Sequence, residues 1–188
     1  DPQAAADRRN LLKVMMTQPD PDTRKLSNDN LANVDLVIEA VFEDFAIKKK
    51  ILQAIEPALG PNAIIATNTS YLNVNKLAAC LDNPSRFVGL HFFAPAHIMK
   101  LIEIVKGSET SPVAVAMGYA VAKSLGKMPV VAGVCDGFIG NRILAAQREA
   151  ADAILMDGST PAEIDEAIVA FGYAMGPYET QDLSGLDI

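Results

Sequence analysis

The run from Val34 to Val41, VDLVIEAV, is almost continuously apolar and rich in β-branched residues, the pattern of a strand buried on both faces. It follows a Pro/Asp-rich break, TQPDPDT, which closes an opening segment, DPQAAADRRNLLKVMM, that reads as the polar tail of a helix. Beyond the strand the period changes. Ile47, Ile51, Leu52, Ile55 and Leu59 recur at helical spacing, Glu43 and Asp44 fall in the first turn, Lys48 to Lys50 follow, and Gly60-Pro61 ends the helix. A second apolar run, Ala63 to Thr67, leads into Asn68-Thr69-Ser70 and a short amphipathic helix from about Asn73 to Leu81. Strand, helix, strand, helix predicts parallel pairing.

Two further apolar runs, Arg86 to Phe93 and Lys100 to Gly107, are joined only by APAHIM. So short a connection cannot hold a parallel crossover, so these strands are expected to pair antiparallel. Ser111 caps a helix with Pro112 in its first position, which runs to about Leu125 and ends at Gly126. A last strand spans roughly Met128 to Val134. From Phe138 to Met156 the spacing predicts one long helix, closed by Asp157-Gly158. Thr160-Pro161-Ala162-Glu163 is a capping box opening another, with Ile164, Ala167, Ile168 and Phe171 on one face, and the remainder reads as loop. The chain thus divides into an α/β part, residues 1–135, and the start of an all-helical part, residues 136–188.

Composition narrows the classes. Among 188 residues, 16 Lys and Arg stand against 23 Asp and Glu, and a net charge of −7 lacks the dense basic surface that nucleic-acid binding requires. No apolar run approaches the roughly 20 residues of a membrane span, and no basic-then-apolar leader opens the chain. Cys80 and Cys135 sit singly in apolar stretches, without the clustering of a zinc site, and are expected to be buried free thiols. The chain begins at Asp1 without a methionine and stops directly after SGLDI, so it is expected to be a piece of a longer protein.

Three places carry candidate chemistry. Asn68, Thr69 and Ser70 fall at the carboxyl end of a parallel strand, the edge of an open α/β sheet where ligands bind, although such a triplet also simply turns the chain and caps the next helix. His91 lies twelve residues before Glu103 on the returning strand, a separation that lets the two face each other across a hairpin. A carboxylate against an imidazole fixes its tautomer, which is the construction of a general base and also of a plain structural pair. His97, in the loop, is expected to be solvated. Asp136-Gly137-Phe138-Ile139-Gly140-Asn141-Arg142 sits where the last strand meets the long helix, either close to a ligand or as ordinary capping. No GxGxxG, GxxxxGK[ST] or HExxH motif occurs.

Taken together, VDLVIEAVFED, ATNTS, GLHFFAPAHIMKLIEIVKG, CDGFIGNR and MGPYETQDLSGLDI resemble the successive motifs of the 3-hydroxyacyl-CoA dehydrogenase family, in the same order and at family-like spacing from about Asp35 onward. FGYAMGP and DLSGLDI are more similar to the dehydrogenase part of bifunctional enoyl-CoA hydratase/3-hydroxyacyl-CoA dehydrogenases of fatty-acid β-oxidation than to the stand-alone enzymes. The resemblance implies a partial Rossmann-like NAD-binding domain, lacking its first strand and Gly-rich turn, followed by the start of a helical domain.

It also implies roles. An L-3-hydroxyacyl-CoA thioester would give its C3 hydride to NAD while His91 takes the hydroxyl proton, oriented by Glu103. Ser70 matches a residue that hydrogen-bonds the substrate oxygen, and Asn141 a polar residue near the thioester. Glu43 and Lys48 match residues near the nicotinamide ribose, and Asn68 one near the nicotinamide; no metal is implied. Imidazole, with an ordinary pKa of about 6.5, suits proton acceptance near neutrality. One departure is Ala94, which stands where the family has the asparagine of HFFNP and is expected to weaken or retune activity. The family also implies dimer or interdomain contacts, and a cytoplasmic location in a bacterium or a peroxisomal one in a eukaryote. Two other readings stay open: an inactive scaffold or assembly module whose sheet edge pairs with another copy, and a dehydrogenase of another hydroxyacid class, which HFFxP and the Glu twelve residues after its His disfavour.

Overall fold

The computed structural model describes residues 31–184, with no account of the side chain of Ser184. The opening helical segment, the TQPDPDT break and the final GLDI lie outside the described residues. Among the described residues, five strands form one sheet in sequence order: β1 (Leu36–Glu39), β2 (Ile64–Thr67), β3 (Phe87–Phe92), β4 (Leu101–Lys106) and β5 (Met128–Gly133). The pairs β1/β2, β2/β3 and β4/β5 are parallel, and β3/β4 is antiparallel. The parallel pairs are bridged by α1 (Phe45–Ile55), α2 (Val74–Ala78) and α3 (Pro112–Ser124), which pack on the sheet. A helical part follows: α4 (Gly140–Met156), α5 (Pro161–Phe171) and α6 (Pro177–Ser184). No helix among the described residues is long and apolar enough to cross a membrane.

The inner strands β2, β3 and β4 are covered on both faces, whereas β5 is largely exposed. Ile65, Phe87 and Val105 pack with Leu52 and Ile55 of α1 and with Val74 and Leu77 of α2, whereas Ile64, Val88, Leu90, Ile102 and Ile104 pack with Ala114 and Ala122 of α3. Gly118 lets α3 approach closely, because a Cβ there would lie 3.0 Å from Leu90.

Several expectations need correction. β1 is not buried on both faces: it is the outer strand of the described sheet, and Ile38 is exposed. Glu43 lies just outside α1 and not in its first turn, because Asp44 takes the N-cap and accepts the Ile47 N–H at 2.9 Å. Ile47 and Phe171 are exposed and do not join the apolar stripes assigned to them. The long helix starts at Gly140, since Gly137 (φ 65°) and Phe138 (φ 47°) take left-handed backbone that cannot enter a right-handed helix. The segment after Gly172 is not all loop, for α6 occupies Pro177–Ser184. Cys80 is half-buried and Cys135 exposed, and both are free. His97 is exposed as expected.

Candidate active site

Strand register brings the first candidate pair together. His91 on β3 is the direct partner of Glu103 on β4, and its Nδ1 lies 2.7 Å from Glu103 Oε2 with both side chains buried. The other carboxylate oxygen, Oε1, accepts the backbone N–H groups of Ile139 at 2.8 Å and Gly140 at 2.9 Å. Glu103 is thus an acceptor on every face, which assigns the proton between the two side chains to Nδ1 and leaves Nε2 as the basic nitrogen. The imidazole is held between aromatic rings, with Phe93 at 4.5 Å and Phe138 at 5.7 Å between centroids.

Glu103 also closes the start of α4. Residue 139 offers no side-chain cap, so a carboxylate from β4 satisfies the amides that the helix itself cannot. The positive φ of Phe138 belongs to the same elbow: it turns a fully buried ring onto His91 while aiming the next two amides at Glu103. Phe93 and Phe138 both lie inside motifs quoted above, but nothing in the sequence marks either as a ring packed on His91.

The second cluster lies where β1 and β2 end. Lys48 is completely buried, and its ammonium donates to Glu39 Oε1 at 2.8 Å and to the Val41 carbonyl at 3.2 Å, with Glu43 Oε2 at 3.5 Å. Glu39 also accepts the Val41 N–H at 2.7 Å and the Thr67 hydroxyl at 2.8 Å. Glu43 Oε1 collects the Thr69 hydroxyl and the N–H groups of Ser70, Tyr71 and Leu72. Burial pushes the Glu43 carboxyl up, but these donors and the Lys48 ammonium outweigh it and hold the group below the ordinary carboxylate value. Sequence reading missed Glu39. Its sign is an acidic residue inside an apolar strand, followed nine residues later by a lysine on the next helix.

The remaining candidates join these clusters. Asn68 Oδ1 accepts the Phe92 N–H at 2.9 Å, tying the end of β2 to the residue after His91. Asn141, in the first turn of α4, points its amide at the Ser70 carbonyl, a long 3.5 Å away. Ser70, Asn68, His91 and Asn141 therefore lie along one sheet edge, while Lys48 stays beneath the surface and reaches that edge through Glu39 and Glu43. Ala94 is exposed and is joined to Pro95 by a cis peptide bond.

Two family models account for the chain. The 3-hydroxyacyl-CoA dehydrogenase NAD-binding domain matches residues 17–135, and the C-terminal domain of the same family matches residues 137–188. The chain is 46% identical over 163 residues to the peroxisomal bifunctional enzyme of Danio rerio, covering 87% of this chain and 23% of that protein. It is 43% identical over 162 residues to the fatty acid oxidation complex subunit alpha of Acinetobacter baylyi, covering 86% and 23%. It therefore spans under a quarter of the length of these relatives. Among solved structures, (S)-3-hydroxybutyryl-CoA dehydrogenase from Ralstonia eutropha is similar with a TM-score of 0.80 and 35% identity, over 98% of this chain and 68% of that one.

Proposed function

The chain belongs to the 3-hydroxyacyl-CoA dehydrogenase family, and from that premise we propose that it carries the dehydrogenase site of a fatty-acid-oxidising enzyme that converts L-3-hydroxyacyl-CoA to 3-ketoacyl-CoA. The observation that carries this reading is the buried pair of His91 and Glu103, with Nδ1 committed to the carboxylate at 2.7 Å.

In this reading His91 Nε2 takes the proton of the substrate C3 hydroxyl. Glu103 holds the ring's tautomer and orientation, and balances the positive charge that the imidazole gains. Ser70 and Asn141 bind the substrate oxygens beside that nitrogen. A bound NAD would supply the hydride acceptor for C3, with Glu43 and Asn68 as the residues that would hold its nicotinamide end. The described residues fit the nicotinamide end of such a cofactor: the carboxyl ends of β1, β2 and β3 lie side by side, and Asn68 and the Glu43-bound amides stand on the same edge as His91. Lys48 would fix Glu43 from below. The sequence contains no GxGxxG turn for the pyrophosphate.

Domain limits at residues 1–135 and 136–188 are part of the same proposal, with the elbow at Gly137 and Phe138 as their junction. The test is acetoacetyl-CoA-dependent oxidation of NADH by the full-length protein and its His91→Gln variant. A loss of kcat of about 10²- to 10⁴-fold, with NADH affinity retained, supports the assignment. Equal rates for the two proteins refute it.

A further inference from the structure

The connection from β3 to β4, residues 93–100, joins the strand of His91 to the strand of Glu103, and it is held from outside by one side chain. Lys127, in the turn between α3 and β5, sends its ammonium to the Ala96 carbonyl at 2.6 Å and the Met99 carbonyl at 2.7 Å. The same ammonium stands 5.5 Å from the centroid of the Phe92 ring. Among the described residues it has no carboxylate within ion-pair distance. Two carbonyls and an aromatic face therefore take up its charge.

Within the connection, the amides of Ile98 and Met99 both return to the Pro95 carbonyl, and the Lys100 carbonyl accepts from Met128 N–H. These bonds close the turn on itself and fix its far end. The ammonium of Lys127 ties the middle of the turn to the body of the protein. Ile98 and Met99 are exposed apolar residues on the segment so held, and that segment leaves the carboxyl end of β3, the end that carries His91.

We propose that Lys127 is a positioning residue for substrate binding: it seats the 94–99 connection so that its apolar face meets the acyl part of the thioester, without touching the reacting atoms. This rests on the dehydrogenase reading for the identity of the substrate, but the seating itself does not.

The test compares Lys127→Met and Lys127→Arg with the parent, using the full-length protein. Thermolysin cleavage at His97-Ile98 under native conditions reads the seating directly. Losing two charge-assisted bonds should speed cleavage about tenfold in Lys127→Met, with Lys127→Arg near the parent rate. In the reductive direction, KM for acetoacetyl-CoA should rise about fivefold or more, with kcat and NADH affinity within about twofold. Lys127→Gln is run alongside, so that a variant that fails to fold leaves the comparison intact. Unchanged cleavage overturns the proposal, and so does faster cleavage with an unchanged KM. An inactive parent would count against the dehydrogenase reading, and the seating would then stand or fall on cleavage alone.

Discussion

Phe93 and Gly140 compete for one space: a Cβ added at Gly140 would lie 2.5 Å from Phe93 Cζ, and Phe93 is the ring that tilts against His91. Carbon contacts settle near 3.5–4.0 Å, so the ring would have to move by about 1 Å. In the Gly140→Ala variant the helix gains about 0.5–1 kcal/mol of propensity, which offsets part of the crowding. The expected result is a melting temperature close to the parent and, on the proposed role of His91, a kcat/KM reduced about tenfold or more, since misplacement on that scale is felt at a reacting group. Thermal unfolding and steady-state rates on the same preparations check it.

Lys48 and Glu39 form a buried ion pair at 2.8 Å, each with almost no exposed side chain. Replacing Lys48 by Met strands the Glu39 carboxylate under the sheet edge and should destabilise by about 3–5 kcal/mol. In the Glu39→Gln/Lys48→Met double variant the stranded charge is gone. Urea unfolding should then show a loss smaller than the sum of the single losses, with a coupling of about 1–3 kcal/mol.

Glu43 gives a pH dependence with a definite sign. Its folded-state value lies below the ordinary one because hydrogen bonds from Thr69, Tyr71 and Ser70, with Lys48 nearby, prevail over the opposing effect of burial. Its contribution to stability is therefore complete above the unfolded carboxylate value of about 4.3 and is lost as pH falls through the lower folded value. Denaturant midpoints measured from pH 6 down to pH 3 should fall less steeply in Glu43→Gln than in the parent, and the variant should be less stable than the parent at pH 6.

Asp165 supports α6 from α5. Its two carboxylate oxygens accept the N–H groups of Tyr178 at 2.9 Å and Glu179 at 3.1 Å. Asp165→Ala leaves both amides without that partner and should cost about 1–3 kcal/mol of stability. Faster hydrogen exchange confined to residues 177–184 would identify the loss as local to that helix.

These helix starts explain what the sequence revealed and what it hid. Ser111 and Thr160 cap their own helices from a neighbouring position, so a local pattern located α3 and α5, whereas α1 is legible from its apolar spacing and the Gly60-Pro61 stop and not from its Asp44 cap. The amides that begin α4 and α6 are served by Glu103, 36 and 37 residues away, and by Asp165, 13 and 14 away, and no local pattern carries that information. The strand runs and the short β3–β4 connection indicated the parallel and antiparallel pairings and allowed His91 to face Glu103, because parity along a hairpin is a local property, whereas the order of the strands in the sheet is set by tertiary packing. The burial of Lys48 was illegible for the opposite reason. Nothing in three consecutive lysines marks which one turns inward; Glu39 on β1, the Val41 carbonyl and Glu43 together draw in Lys48.

One carboxylate, Glu103, belongs at once to the β4 strand, to the imidazole of His91 and to the first amides of α4. The two halves of the chain are consequently poor candidates for exchange as modules. A chimera that imports a foreign helical half at residue 140 would carry its own elbow mismatch straight into the His91–Glu103 pair, whereas a crossover placed before Cys135 moves Phe138, Ile139 and Gly140 together as an inherited set.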